Sequence, residues 1–99
     1  MVAAEAQDFL TYITELREHA TPEALLGLRP GAPLQLRHRH RRGIHRTEIC
    51  TLQGEPLGWL PAEDSMALGD ADAACAAEVT ALVPARLLPR VHIRIFMPI

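Results

Sequence analysis

The ten residues from 37 to 46 form the most strongly charged run of this sequence. They include five arginines and three histidines and no acid: Arg37, His38, Arg39, His40, Arg41, Arg42, His45 and Arg46. Guanidinium groups placed this closely repel one another unless an anion lies near them. Arginine donates paired hydrogen bonds to phosphate oxygens, so a phosphate polymer is the natural complement of the run. The run therefore predicts a nucleic-acid contact, and the alternatives are a solvated loop or pairing with acids of the same chain.

Trp59 is the only tryptophan of the chain and could also contact nucleic acid. An aromatic ring that stacks on a base contributes ~1–3 kcal/mol of binding free energy. The alternative is a ring packed into the core, although burial of one face leaves the other available for stacking. The predicted nucleic-acid contacts are Arg37, Arg39, Arg41, Arg42, His45, Arg46 and Trp59.

The histidines of the same run also have the spacing of metal ligands. His38 and His40 would project from one face of a strand, and His45 could return as a third imidazole ligand for zinc or copper. Five neighbouring arginines oppose a dication there, because like charges repel. We therefore expect no metal and no other cofactor, and the three histidines remain weak metal candidates.

No arrangement of residues in the sequence predicts an enzyme. Ser65 and Cys75 lack the flanking motifs of a catalytic nucleophile, and no glycine-rich phosphate loop is present. The neighbouring carboxylates at 63–64 and 70–72 are of a kind common on protein surfaces. Cys50 and Cys75 are too few for a disulfide framework, and both are expected in the core.

Length and composition describe one small folded domain. The chain has 99 residues, a hydrophobic fraction of 48% and a formal net charge of −2, which is ordinary for a globular protein. No apolar run approaches the ~18 residues of a membrane-spanning helix, so no membrane contact is expected. The N-terminal segment carries acids where a secretory signal carries positive charge, which favours a cytoplasmic location.

The net charge conceals two segments of opposite sign. Residues 47–85 contain seven acids and no base, whereas the preceding run at 37–46 is strongly basic. The acidic segment would repel nucleic acid, so it is expected to face away from any nucleic-acid contact. It offers a surface to a basic partner or to the basic run of a second copy, and the chain is thus a candidate homo-oligomer.

The basic run must be positioned by a small set of helices and strands. Residues 3–20 carry apolar side chains at three- and four-residue spacings, which predicts an amphipathic helix. A second short helix is predicted to begin at Pro22, with Thr21 as its cap. A further helical segment is predicted over residues 61–68.

Alternating apolar and polar residues after the turn at Pro30-Gly31 predict strands. The predicted strands cover residues 34–36, 47–52, 56–60, about 76–83 and 90–97. Most of the basic run, which includes Gly43, is predicted as a loop between the first two strands. The order of elements predicts a mainly β or α+β domain, namely a small barrel of five or six short strands with an N-terminal helix.

Residues 27–61 resemble the HIRAN domain, a family of small β-barrel domains. The matching positions follow the order and spacing of the family pattern: Leu28, Pro30, Gly31, Leu34, Leu36, Ile49, Gly54, Gly58, Leu60 and Pro61, with Trp59 in an aromatic slot. The segments AEDSMAL, AEVTALV and VHIRI extend the resemblance over roughly residues 24–97. The resemblance implies a barrel domain at 24–99 that binds single-stranded DNA ends. The predicted helical segment at 1–23 stands in place of the family's usual first strand.

The basic run departs from the family pattern. Where the family has an acid, proline, asparagine and aspartate, this chain has Arg39, His40, Arg42 and His45. In the family, the aspartate helps to hold a terminal 3′ hydroxyl, and that aspartate is absent here. The sequence thus predicts a non-catalytic module that binds nucleic acid, preferably single-stranded DNA, and assists a separate helicase or nuclease. The alternative is a protein-interaction or structural module that retains the scaffold without DNA-end recognition.

Overall fold

The computed structural model describes residues 7–68 and 76–97. This part of the chain contains three short helices and six strands in one antiparallel sheet, which confirms the mainly β class. The strands are β1 (Gln7–Tyr12), β2 (Pro33–Arg41), β3 (Ile44–Thr51), β4 (Pro56–Trp59), β5 (Ala76–Val83) and β6 (Arg90–Met97). The helices are α1 (Leu16–His19), α2 (Pro22–Leu26) and α3 (Ala62–Leu68). The strand order across the sheet is β1-β6-β5-β2-β3-β4.

The predicted helix over residues 3–20 is wrong for most of its described part. Residues 7–12 form β1, which pairs with β6, and the helical part of this segment is limited to α1. Thr11 and Ile13 are buried, whereas the intervening Tyr12 is exposed. The apolar residues of this segment fit both a helical and an alternating pattern. The segment forms a strand because it pairs with β6. β1 therefore lies in the same sheet as the strands predicted within 24–99.

The predicted loop at 37–46 is also wrong. β2 and β3 pair without interruption to the Arg41–Ile44 pair, so the basic run forms the outer half of a hairpin. Arg42 and Gly43 make the turn, with φ angles of 52° and 75° in the left-handed region. Such angles suit a two-residue hairpin turn, because its twist matches the twist of the flanking strands. The alternation of arginine and histidine is therefore the period-two pattern of a strand.

The two edge strands of the sheet meet at one backbone bridge, which we call the seam. Thr14 N donates to the Trp59 carbonyl oxygen at 2.8 Å, and Trp59 N donates to the Thr14 carbonyl oxygen at 3.0 Å. Gly58 permits this approach, because a Cβ atom there would collide with the Thr14 carbonyl oxygen and with the side chain of Ile13. The sheet therefore curls until its edges touch, which brings the residues after β1 beside β4 and β3.

The core lies on the inner face of the curled sheet. Its buried apolar residues are Ile13, Leu16, Ala24, Leu28, Leu34, Leu36, Ile49, Leu57, Leu60, Leu68, Ala77, Val79, Val91, Ile93 and Ile95. α3 packs against β3, and the Ser65 hydroxyl accepts a hydrogen bond from Thr47 N at 3.2 Å. Thr11 Oγ1 donates to the Asp64 carboxylate, which ties β1 to the same helix. Alternation along β2 places the side chains between Leu34 and the tip alternately on the core side and on the outer face.

Several local predictions are confirmed. α2 begins at Pro22, and the Thr21 hydroxyl accepts a hydrogen bond from Ala24 N at 3.2 Å. The two C-terminal strands occupy the predicted ranges 76–83 and 90–97. No helix within residues 7–68 and 76–97 is long and apolar enough to cross a membrane. Cys75, the carboxylates at 70–72 and the first six residues of the chain lie outside the described residues.

Candidate nucleic-acid interface

The hairpin of β2 and β3 presents its side chains on two faces. In the pairing register, Arg39 lies opposite Arg46, and His40 lies opposite His45. Because side chains alternate along a strand, the arginines share the outer face and the histidines share the face that continues the core. We call the outer face of this hairpin, with arginines at 37, 39, 41 and 46, the arginine face.

The tip of the arginine face carries two exposed cations. Arg41 and Arg42 are exposed, and the guanidinium group of neither makes a hydrogen bond or an ion pair with any residue that the structure describes. Ile44, which pairs with Arg41 across the turn, is 64% exposed. The tip is therefore the part of this face whose positive charge is available to an external anion.

Farther from the tip, the arginines are paired with acids of the same chain. Arg39 and Arg46 lie directly opposite each other, and like charges in that position destabilise a sheet. Arg39 donates a hydrogen bond to Glu48 at 3.1 Å, and Arg46 donates one to Glu15 at 2.6 Å. These carboxylates offset the repulsion within the arginine face. Arg37 lies away from the tip, with its guanidinium beside the turn that follows β3.

Glu48 is a buried acid below the arginine face. Its side chain is 8% exposed, and it accepts hydrogen bonds from His19 Nε2 at 2.7 Å and from Arg39 at 3.1 Å. Burial acts to raise the pKa of this carboxyl, but the hydrogen bonds from His19 and Arg39 outweigh burial and hold the pKa below its usual value. Burial, together with the negative charge of Glu48 3.6 Å away, raises the pKa of the Cys50 thiol to about 11. At neutral pH, Glu48 is therefore ionised and Cys50 is protonated.

Trp59 is half-buried between two side chains. The guanidinium carbon of Arg46 lies 4.4 Å from the centroid of the indole ring, and the imidazole of His19 lies 5.3 Å from it. The guanidinium thus makes a cation–π contact with the ring that the sequence predicts to stack a base. A base could reach Trp59 after Arg46 moves aside, or it could stack on the guanidinium plane itself.

A groove of about 540 Å³ lies beside Trp59 at the hairpin tip. Its lining residues are Arg39, His40, Arg41, Arg42, Ile44, Arg46 and Trp59. The groove brings together five of the seven predicted contacts. Arg37 and His45 are not among the residues that line it. His40 and Ile44 also line the groove, although the sequence did not predict them as contacts.

The three histidines stack on one another instead of converging on a point. His38 Nδ1 and His45 Nε2 share a hydrogen bond of 2.9 Å, so one of the two nitrogens donates and the other accepts. The rings of His40 and His45 are stacked, with their centroids 4.9 Å apart. Among the described residues, no group of three histidine, cysteine, aspartate or glutamate side chains is placed to hold a metal ion.

Glu15 is a further residue of this site that the sequence did not predict. It lies 31 positions before Arg46, so no local pattern connects the two residues. Its backbone is in the left-handed region, with φ of 58°, at the position that precedes α1. That conformation is uncommon for a residue with a side chain. Only the seam brings Glu15 beside the hairpin.

Comparisons with known proteins give no match. No protein-family model, no curated protein and no solved structure matches this chain. The features from which a function can be inferred are therefore the arginine face, the groove beside Trp59 and the ion pairs that border them.

Proposed function

We propose that this chain is a non-catalytic module that binds nucleic acid, preferentially single-stranded DNA, on its arginine face. The observation that carries the proposal is the exposed pair Arg41 and Arg42, next to a groove that also contains Trp59. None of the described residues that line the groove is an acid. Guanidinium groups bind phosphates through charge-assisted hydrogen bonds, so a phosphate backbone is the anion that best suits the tip.

A single strand suits this groove better than a duplex. The bases of a single strand are free to stack on an aromatic ring or on a guanidinium plane. The Trp59 ring and the Arg46 guanidinium, 4.4 Å apart, supply both kinds of surface. With a base on this platform, the adjoining phosphates would lie toward Arg41 and Arg42 at the tip.

The proposal includes the resemblance to the HIRAN domain. A strand, β1, stands where the family has its first strand, and α3, β5 and β6 follow the hairpin in the order that the resemblance implies. This order of elements is compatible with the resemblance, which enters here as part of the proposal. The family's aspartate is absent, so recognition of a 3′ hydroxyl is not part of the proposal. The proposed role of the module is to hold DNA for a separate helicase or nuclease.

The test is fluorescence anisotropy with labelled oligonucleotides at two salt concentrations. The oligonucleotides are single strands with free and blocked 3′ ends and one duplex. Arg41→Glu is compared with Arg29→Glu, which reverses an equally exposed arginine outside the arginine face. We expect the wild-type chain to bind the single strands more tightly than the duplex, and to bind them more tightly at low salt than at high salt. Arg41→Glu should weaken this binding about tenfold and make its logarithmic salt dependence shallower by about 0.7 for each phosphate that is no longer neutralised, and Arg29→Glu should change neither.

Two results would overturn the proposal. One is the absence of binding at low salt, where electrostatic attraction is strongest. The other is equal affinity in Arg41→Glu and Arg29→Glu. Either result would favour the second candidate function, a protein-interaction module, for which the observation is Ile44. An apolar side chain 64% exposed between arginines is typical of a protein contact.

A further inference from the structure

A second groove, of about 470 Å³, lies on the other side of the seam from the hairpin. It runs between the end of β1 and the segment that precedes β6, and three arginines line it: Arg17, Arg86 and Arg90. Arg17 and Arg86 are exposed and make no ion pair or hydrogen bond with a described residue. Glu15 and Glu18 also line the groove, and Glu15 is already paired with Arg46. The positive charge of this groove therefore exceeds its free negative charge.

The second groove contains an exposed ring with a guanidinium over it. Tyr12 is 38% exposed, and the guanidinium carbon of Arg90 lies 5.5 Å from the centroid of its ring. The first groove has the same arrangement, in which the Arg46 guanidinium lies 4.4 Å from the centroid of Trp59. The two grooves thus share one chemistry: a flat aromatic surface, a stacked cation and further arginines at the rim.

The two rings lie on one continuous surface. Trp59 lies opposite Thr14 at the seam, and residues opposite each other in an antiparallel pair project to the same face. Tyr12 is two residues before Thr14 and projects to that same face, at about 7 Å along the strand. The outer face of the sheet therefore continues from the hairpin across the seam to Tyr12 without an intervening strand.

We propose that Tyr12 and Arg90 form a second subsite for single-stranded nucleic acid, and that one strand crosses the seam from Trp59 to Tyr12. This inference rests on the proposed function of the arginine face. A second base stacks on Tyr12 or on the Arg90 guanidinium, and the neighbouring phosphates bind Arg17 and Arg86. Trp59 and Tyr12 are diagonal neighbours across the seam. Such neighbours stand about 7–8 Å apart, which exceeds the 3.4 Å rise of stacked bases, so bases on the two rings are separated from each other.

The experiment measures how the affinity for nucleic acid depends on the length of the strand and on the side chains of the second groove. A labelled thymidine mononucleotide and an oligothymidylate of about twelve nucleotides are compared, because a single base can occupy only one of the two rings, whereas the longer strand can reach both. The variants are Tyr12→Ala, Tyr12→Trp and Arg90→Gln. The control is Leu10→Ala, which removes a side chain that is 68% exposed on the same strand and face. Anisotropy at low salt gives the affinity, and circular dichroism checks the fold of each variant.

We expect the wild-type chain to bind the longer strand more tightly than the mononucleotide. Tyr12→Ala should weaken binding of the longer strand about 5- to 100-fold and should leave binding of the mononucleotide unchanged. Tyr12→Trp should restore the affinity, and Arg90→Gln should weaken the longer strand alone. Leu10→Ala should match the wild-type chain.

The failures are distinguishable. If Tyr12→Ala and Arg90→Gln both bind the longer strand as tightly as the wild-type chain does, the second subsite is wrong and the function of the arginine face stands. If the wild-type chain binds neither the shorter nor the longer nucleic-acid probe at low salt, the proposed function itself is wrong, and the second subsite is wrong as well. Should Tyr12→Ala lose its fold, Arg90→Gln decides, since it alters only an exposed side chain.

Discussion

The carboxylate of Glu15 lies 2.6 Å from the guanidinium of Arg46, and that same guanidinium covers the ring of Trp59. A carboxylate on a guanidinium occupies the donors that a phosphate would use. Glu15 is therefore an internal competitor for the proposed ligand. The side chains of Glu15 and Arg46 are 49% and 40% exposed, so this pair is open to solvent and to salt.

Replacement of Glu15 by glutamine should strengthen binding of single-stranded DNA. An exposed ion pair contributes about 0.2–1 kcal/mol, so its removal should raise the affinity by up to about fivefold. The gain should be largest at low salt, where the competing attraction is strongest. Anisotropy titration measures it, with Glu23→Gln as the control, because Glu23 is an exposed acid in α2 and loses the same charge. Equal affinities for the two variants would show that Glu15 does not compete.

Glu48 should make the stability of the domain depend on pH in the acid range. Hydrogen bonds from His19 and Arg39 hold its folded-state pKa below the usual value of 4.5. The unfolded chain therefore binds the proton first as the pH falls, and stability is lost from about pH 4.5 downward. Above that pH the stabilisation is fully present.

Glu48→Gln tests this dependence. At pH 7 the free energy of unfolding of the variant should be lower by about 1–3 kcal/mol, because a neutral amide accepts weaker hydrogen bonds from His19 and Arg39 than the buried carboxylate does. Its stability should then change less than that of the wild-type chain between pH 6 and pH 3. Urea unfolding at several pH values measures both effects. Parallel curves for wild type and variant would contradict the prediction, and Glu63→Gln, at an exposed acid, supplies the control.

Gly58→Ala should destabilise the fold, because the added methyl group would disturb the seam. A Cβ atom at this position would meet the Thr14 carbonyl oxygen and the Ile13 side chain, so the two edges of the sheet would have to separate. Overpacking of this kind costs about 1–3 kcal/mol, which lowers the melting temperature of a domain of this size by several degrees.

The control for Gly58→Ala is Gly27→Ala. A Cβ atom at Gly27 would lie 3.8 Å from the nearest atom, the Ala24 carbonyl oxygen, which is ordinary contact. Thermal unfolding followed by circular dichroism compares the two variants. An unchanged melting temperature for Gly58→Ala would mean that the close approach at the seam is not required for stability.

The N-terminal segment and the basic run show why part of the fold was not predictable. Phe9 and Ile13 stand four residues apart, as on one face of a helix, yet they also alternate with Leu10 and Tyr12 as in a strand. The basic run has polar residues on both faces, so it lacks the apolar alternation that identifies a strand. For residues 7–12 the deciding partner is β6, which is distant in sequence, whereas the two halves of the basic run pair with each other and with the rest of the β2–β3 hairpin. In both segments the hydrogen bonds of strand pairing decide the structure.

The sequence alone sufficed to predict the features that depend on neighbouring residues. The cap at Thr21, the helix after Pro61 and the C-terminal strands follow from hydrogen bonding and side-chain alternation within a few residues. It also determined the charge of the basic run and the presence of a single tryptophan, and therefore the class of ligand that we propose.

The arrangement of these groups, in contrast, depends on contacts between distant parts of the chain. The curled sheet places Thr14 against Trp59, which is 45 residues away, and in doing so sets Glu15 on Arg46. It also buries Glu48 between His19 and Arg39. No periodic pattern encodes such pairs, because they form only when the two sheet edges meet around the packed core. The charged groups can thus be identified from the sequence, whereas their partners are set by the way the curled sheet brings distant residues together.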